Sequence, residues 1–306
     1  MNEFEKRRVT SIAEFKQRFV CGGFWDESVA YGLEMKPRPT DVIIAPFAKS
    51  GTTMLQQMVH TLRTGGDMSF AGISEVVPWI ETAQKLGIDL DADQRWFPRA
   101  FKTHLPWNPI PKGGRYIVSI RRPEKTLVSH YRFLVGWLIE PGSVSLAEFA
   151  AFYCDRSEDG PREDWWTHLI SWWPHRNDEN VLMLSFESMV ERRRETVARV
   201  AAFIGVDADD ELIDLAMHRT SLAFMLEHQD QFSEIVLRTL YERERGMPSG
   251  GESAKVKAPL PKGAIEIPPE VIDLLDSRWK ESVETEFGYS DYDTLRAALE
   301  RADVYV

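Results

Sequence analysis

Lys49, Lys102, His104 and the Arg121-Arg122 pair have the side-chain types that bind and transfer anionic groups. Lys49 lies in the stretch Pro46-Phe47-Ala48-Lys49-Ser50-Gly51-Thr52-Thr53-Met54. An apolar run, Val42-Ile43-Ile44-Ala45, precedes it, and Met54, Leu55, Met58, Val59 and Leu62 follow at helical spacing. A strand, a small polar turn and a helix start form an anion site, because the first N–H groups of a helix have no partner within it. The helix dipole adds partial positive charge there, and Lys49 adds a whole one. Lys102 and His104 stand in a compact run, Arg99 to Trp107, and Arg121-Arg122 directly follows the strand-like Arg115-Tyr116-Ile117-Val118-Ser119-Ile120. Ser129 is eight residues beyond Arg121, about two helical turns, which places it to line the same crevice.

These residues need a scaffold that collects strand ends on one side. Taken singly, each has an ordinary reading: a solvated loop lysine, a surface arginine pair, a satisfied histidine. His60, His130, His168, His175, His218 and His228 keep that ordinary reading. The coincidence is that all the cations follow strand patterns, and ligands of parallel α/β sheets bind beyond the carboxyl ends of the strands. Val181 to Phe186 is a third clear strand. Helices are expected over 52–64, stopped by Gly65-Gly66, from Pro123-Glu124 through Leu134, from the capping box at Ser145-Leu146-Ala147-Glu148, through Asp164–Trp173, over about 188–204, and from Pro268-Pro269-Glu270 through Trp279 as the last helix. Apolar strands alternating with amphipathic helices predict a single α/β domain with a mainly parallel central sheet flanked by helices. Residues 1–40 read as an N-terminal extension, entering through Lys36-Pro37-Arg38-Pro39 as an extended lead-in, and 41–306 as the domain. The glycines and prolines of 246–263, with Lys255, Lys257 and Lys262, predict a long basic loop able to close over the crevice.

Composition narrows the partners. Lysine and arginine total 37 against 48 acidic residues, a net charge of −11, which argues against nucleic acid as a partner. It does not argue against one anionic ligand, since convergent cations set a local field whatever the distant surface carries. No apolar run approaches the roughly 20 residues of a membrane span, and the N-terminus carries no apolar secretory core. Cys21 and Cys154 read as free thiols, and a cytoplasmic location is expected. The triphosphate-binding pattern G-x-x-x-x-G-K-[ST] places lysine after its second glycine. Here Lys49 precedes the only glycine of the turn, and no acidic metal ligand follows a strand. A metal-free group transfer fits better than a kinase-like reaction.

The turn from Pro46 to Met54 resembles the 5′-phosphosulfate loop, Y-P-K-S-G-T-T-W, of cytosolic-type sulfotransferases. Phe101-Lys102-Thr103-His104-Leu105-Pro106 is similar to their K-T-H-L-P segment, and Arg121 with Ser129 to their 3′-phosphate motif. The helix from Asp164 to Trp173 resembles W-x-x-H-x-x-x-W, Ser185-Phe186-Glu187 stands where F-Y-E is common, and Thr220-Ser221-Leu222 matches T-S-F. The resemblance implies transfer of a sulfuryl group from 3′-phosphoadenosine 5′-phosphosulfate (PAPS), without a metal, to a small acceptor, leaving 3′-phosphoadenosine 5′-phosphate (PAP). It implies His104 as general base, Lys49 at the bridging oxygen and Lys102 at the sulfuryl oxygens. Ser50, Gly51, Thr52 and Thr53 would hold the 5′-phosphate, Arg121 and Ser129 the 3′-phosphate, and Phe186, Thr220 and Leu222 the nucleoside. Met54 replaces the tryptophan that stacks on adenine, and Ala48 replaces a proline. In place of R-K-G-x-x-G-D-W-K stands Ser253-Ala254-Lys255-Val256-Lys257, whose lysines are the nearest basic equivalent. Trp79, Trp107, Phe133, Trp137 and Trp166 are expected to line an apolar acceptor pocket, and the acceptor to be a small, largely apolar alcohol, phenol or amine. The K-x-x-x-T-V-x-x-x-E dimer motif is absent, which leaves the oligomeric state open: a homo-oligomer is allowed but not indicated. Two other readings compete: a nucleotide-dependent phosphotransferase with a degenerate loop, and a non-catalytic adenosine-bisphosphate binder. Retention of both Lys49 and His104 weighs against the second, which needs no base.

Overall fold

Four apolar runs become four strands: β1 (Val42–Ile44), β2 (Ala100–Lys102), β3 (Arg115–Ile120) and β4 (Val181–Ser185). The computed structural model describes residues 6–21, 23–155, 164–259, 261 and 265–302. Within them the sheet runs β2-β1-β3-β4, with every pair parallel. Ile44, near the end of β1, lies opposite Lys102 of β2 and Ile117 of β3, so the polar segments after β1 and β2 leave the sheet side by side.

Both faces are covered, and strand alternation sorts the side chains between them. Ile43, Phe101, Tyr116, Val118 and Met183 join one core, with Leu127, Phe149, Trp172 and Trp279 from helices. Val42, Ile44, Ala100, Ile117, Leu182 and Leu184 join the other, with Leu55, Met58 and Val59 of the Thr52–Thr64 helix and Val197, Val200 and Ile204 of the Arg193–Ile204 helix. This two-sided burial explains why the strands read as unbroken apolar runs rather than alternating ones. Among the described residues, no helix is long and apolar enough to cross a membrane.

Most expected boundaries hold. The Thr52–Thr64 helix ends on Gly65 at φ 67, a left-handed residue that costs glycine little. Pro123 opens the Pro123–Leu134 helix, and the Ser145–Glu148 capping box is formed from both sides. Residues 247–259 lie outside helices and strands as expected; 260 and 262–264, with Lys262, are outside the described residues. Three expectations need correction. The single helix over about 188–204 is two, Phe186–Glu191 and Arg193–Ile204, because Arg192 leaves helical geometry at φ −118, ψ 51. The helix through Trp279 is not the last. It continues through a π turn, Lys280–Glu284, to Phe287, and Tyr292–Ala302 forms a further helix. The lead-in is irregular over 35–38 and turns at 39–40, where the Asp41 N–H donates to the Arg38 carbonyl; earlier residues form helices Ile12–Phe15 and Asp26–Leu33, joined in part by a π turn, Lys16–Val20. Val9, Phe15 and Met35 are buried in the main core, so this stretch packs onto the sheet domain.

One buried ion pair ties the entries to β1 and β2 together. Asp41 is fully buried; its Oδ1 accepts from Arg99 Nε at 2.9 Å, and Oδ2 accepts from Arg99 NH2 and from the Arg38 backbone N–H. Arg99 NH1 also donates to the Leu90 and Ala92 carbonyls at 2.9 Å. Removing one partner leaves the other charge buried and unmatched, which costs about 3–5 kcal/mol. Asp41→Ala is therefore expected to lose stability on that scale in urea unfolding at neutral pH, and a loss under about 1 kcal/mol would contradict the account.

Candidate active site

The turn after β1 is the tightest backbone of the site. Lys49 has φ 67 and Gly51 φ 108, two left-handed residues bracketing Ser50. A lysine pays strain for that conformation. Glycine is required at 51 for space as well, since an added Cβ would lie 2.9 Å from Phe186 Cδ2 and 3.3 Å from Ser119 Oγ. The turn is held from β3, where Ser119 Oγ donates to the Ser50 carbonyl at 2.6 Å, and from Arg121, whose NH1 donates to the Lys49 carbonyl at 2.9 Å. The Thr52–Thr64 helix then starts with no side-chain cap on its first N–H groups. Ser50 Oγ and Thr52 Oγ1 are buried without a hydrogen-bond partner. Unpartnered buried hydroxyls and open helix N–H groups suit an anion that supplies acceptors to both.

A cavity of about 940 Å³ opens over this turn. Lys49, Gly51, Thr52, Thr53, Met54, Lys102, His104, Arg121, Ser129, Phe186, Thr220, Leu222, Lys255 and Lys257 all line it, so the expected nucleotide and catalytic residues share one space. Ser50 is fully buried beneath the turn. Trp79, Phe133 and Trp137 also line the cavity. Trp107 and Trp166 do not, and the acceptor roles expected for them are corrected. Trp107 stacks on His175 at 3.9 Å and packs edge-on against Trp172, behind β3. Trp166 is fully buried among Tyr153 and Trp165, with the Arg278 guanidinium over its ring. The aromatics that sequence order did not single out include Phe15 and Phe19 from the N-terminal stretch, Phe47, Phe149, Phe152, Tyr153 and Tyr241. Their positions come from packing between remote segments, and nothing local in the sequence marks them.

Electrostatics set the protonation of the key groups. Lys49 Nζ donates to the Lys255 carbonyl at 3.2 Å and lies 4.1 Å from the centre of the Phe133 ring. Burial, reinforced by the charges of Lys255, Lys257, Arg121 and Lys102, pulls its amine down to about 7. Lys102 Nζ is paired with Glu234 Oε1 at 2.7 Å and lies 4.1 Å from the Trp79 ring centre. His104 Nδ1 is 2.7 Å from the Pro46 carbonyl, which can only accept, so Nδ1 carries the proton and Nε2 keeps a free lone pair. Its backbone N–H donates to Glu81 Oε1 at 2.8 Å, and its ring meets Trp79 edge-on. Burial, then the charge of Lys102, pull His104 down to about 3, so it is neutral in the free protein. Arg121 lies over the Phe186 ring at 4.4 Å. The loop lysines are held in place: Lys255 Nζ by Glu234 Oε1 at 3.0 Å, and Lys257 Nζ by the Arg132 carbonyl at 2.8 Å. Among the described residues, no group of three or more His, Cys, Asp or Glu side chains is placed to hold a metal.

The chain is similar to proteins already known. The model of the sulfotransferase domain family matches residues 39–281. Sulfotransferase 4A1 of Homo sapiens is 33% identical over 228 residues, covering 68% of this chain and 77% of the relative. Sulfotransferase 1B1 of Canis lupus familiaris is 31% identical over 202 residues, covering 61% and 67%. Among solved structures, retinol dehydratase in complex with androsterone and inactive cofactor PAP aligns with a TM-score of 0.64 at 17% identity over 84% of this chain and 86% of that one. A mouse sulfotransferase complexed with PAP aligns at 0.62 and 18% identity over 92% and 94%. At such identities the structural likeness shows the fold alone.

An amine at about 7 that faces an incoming phosphate must recharge as the anion arrives. Binding of PAP above pH ~7 is therefore expected to take up protons, and affinity to fall as pH rises through and beyond that value. Calorimetry in buffers of different ionisation heat measures the uptake. Binding with no proton uptake above neutrality would show that Lys49 does not face the anion.

Proposed function

We propose a division of labour among these residues, on the premise that the chain belongs to the sulfotransferase family. It is a PAPS-dependent enzyme that moves a sulfuryl group to a small acceptor. Bound PAPS supplies the sulfuryl group and the PAP leaving group; every other requirement falls to the chain. The buried, unpartnered hydroxyls of Ser50 and Thr52 at an uncapped helix start support the fit of a 5′-phosphate there, with Thr53 beside them. Arg121 and Ser129 on the neighbouring segment suit the 3′-phosphate, where a guanidinium gains by forked contact. Lys257 and Lys255 add charge from the opposite loop. Met54, Phe186, Thr220 and Leu222 suit the nucleoside, with a thioether in the place of a stacking ring.

His104 is the general base. Its Nδ1–H is committed to the Pro46 carbonyl, which leaves Nε2 to take the proton of the acceptor hydroxyl or amine. The Lys102 charge that depresses this imidazole is relieved when an anion draws on Lys102, so basicity rises as the site fills. Lys49 neutralises charge at the departing phosphate, and Lys102 charge on the transferring oxygens. The single observation that carries this reading is one cavity lined together by Lys49, Lys102, His104 and Arg121, drawn from the ends of three adjacent strands or the segments that follow them.

The acceptor side supports a small, largely apolar alcohol, phenol or amine. Phe15, Phe47, Phe133, Trp137, Phe149 and Tyr241 face the same cavity as His104, and apolar walls with few polar groups are the ordinary design of small-molecule sites. The described part of the 1–40 extension thus contributes to the acceptor wall of the domain that follows it. Both cysteines are unpaired, which supports a cytoplasmic setting.

His104→Ala is expected to lower turnover by about 10²- to 10⁴-fold with PAP affinity within about threefold of the original. Lys49→Ala should cost about 10²- to 10³-fold in turnover and also weaken PAP binding. Steady-state assays with a phenol acceptor, beside PAP titrations, separate the two patterns. Near-native turnover by His104→Ala would remove it as the base.

A further inference from the structure

Glu234 is a carboxylate in the wrong place for a site that binds a polyanion. It is buried, it lines the cavity, and it sits between two of the lysines that face the ligand. Its Oε1 accepts from Lys102 Nζ at 2.7 Å and from Lys255 Nζ at 3.0 Å. One oxygen therefore bridges the end of β2 to the basic loop, segments more than a hundred residues apart in sequence. The backbone reinforces that bridge: Ser233 pairs antiparallel with Ala254, and the Glu234 N–H donates to the Ser253 carbonyl at 3.4 Å. The groups whose charge reaches Glu234 are Lys102, Lys255, His104 and Tyr241, the last from the Ile235–Glu244 helix. Burial alone would favour its neutral form, but the two lysines outweigh it and hold the carboxyl at about 2. It is therefore a full negative charge facing the space where sulfuryl and phosphate oxygens arrive.

We propose that Glu234 is an internal counter-ion that stands in for the co-substrate's anionic groups, holding Lys102 and Lys255 in place until the bound anion takes them over. Glu234 is a positioning residue: it acts through the lysines and does not touch the reacting atoms. The proposal rests on the reading of this cavity as the PAPS site. Lys257 has a second carboxylate, Glu252, at 3.2 Å, but without Glu234 the buried amines of Lys102 and Lys255 would face Lys49 with no carboxylate paired to them. Lys255 already sits at about 8, pulled down by burial and held up by Glu234, and Lys49 at about 7. The arrangement has a cost, because the arriving anion competes with a carboxylate already in place. Affinity is traded for a preorganised set of charged lysines.

The trade has a sign that a scaffold role lacks. Glu234→Gln keeps shape and hydrogen-bonding capacity but removes the competing charge. It is expected to bind PAP about tenfold tighter below pH ~7, the scale of one like charge removed from beside a bound anion. KM for PAPS should fall while kcat falls several-fold, since Lys102 loses its holder and product leaves more slowly. Because Lys255 loses the charge that held its amine up, PAP affinity of the Gln variant should begin to fall at a lower pH than in the unaltered chain. Glu234→Asp, which restores the charge, should return affinity and pH profile toward the original. The experiment is calorimetric titration of PAP against pH for the three proteins, with thermal unfolding of each as a check on folding. Weaker or unchanged PAP binding by a folded Gln variant overturns the counter-ion role while leaving the site assignment intact. Failure of the unaltered chain to bind PAP overturns both. Should the Gln variant not fold, NMR of isotope-labelled lysines in the unaltered chain decides the matter. Lys102 and Lys255 signals that shift together on adding PAP support the proposal, and signals that stay fixed overturn it.

Discussion

Gathering like charges in an enclosed space is the constraint on which this molecule is built. Lys49, Lys102, Arg121, Lys255 and Lys257 face one cavity, and the amines of Lys49 and Lys255 are depressed by burial and by neighbouring cations. Such a cluster does not hold itself. It persists because a parallel sheet delivers the segments after β1, β2 and β3 to the same edge, and because Glu234 and backbone carbonyls pin the side chains that would otherwise swing away. An anion entering such a space relieves that repulsion, and on the proposed reading binding and catalysis draw on the same source.

The fold serves this arrangement in identifiable ways. Two apolar faces make the sheet rigid, and the pair between Asp41 and Arg99 ties the entries to two adjacent strands. The turn from Ala45 to Gly51 is strained at Lys49, and the strain is held from outside by Ser119 and Arg121. A left-handed lysine supported by a serine of one strand and an arginine beyond it is poised by its surroundings, and little of that poise belongs to its own turn. His104 is treated similarly. The Pro46 carbonyl selects its tautomer and the Glu81 carboxylate holds its backbone, leaving Nε2 with a free lone pair.

The aromatic wall of the cavity belongs to a different level of organisation. Phe15 and Phe19 come from helical segments before the sheet, Phe133 and Trp137 from the region after β3, and Tyr241 from a late helix. Their convergence is a property of core packing, and on the proposed reading apolar shape would govern which acceptors fit. That separates a strongly specified anion site from a wall that can vary without disturbing it.

The amino-acid sequence by itself determined the parallel sheet, the phosphate turn, the order of Lys49, Lys102, His104, Arg121 and Ser129, and the family. Each of these rests on local chemistry: an apolar run, a glycine where no Cβ fits, a proline opening a helix, a cation just past a strand. Only the tertiary structure decided which aromatics reach the cavity. Trp107 and Trp166 turned into the core because their neighbours Trp172, His175 and Tyr153 come from other segments, and no spacing along the chain encodes that. The same holds for Glu234, an unremarkable acid among 48 until a loop and a strand end meet around it. Local rules place a residue on an element, while contacts between distant elements decide what it faces, and charge in a closed space depends entirely on the second.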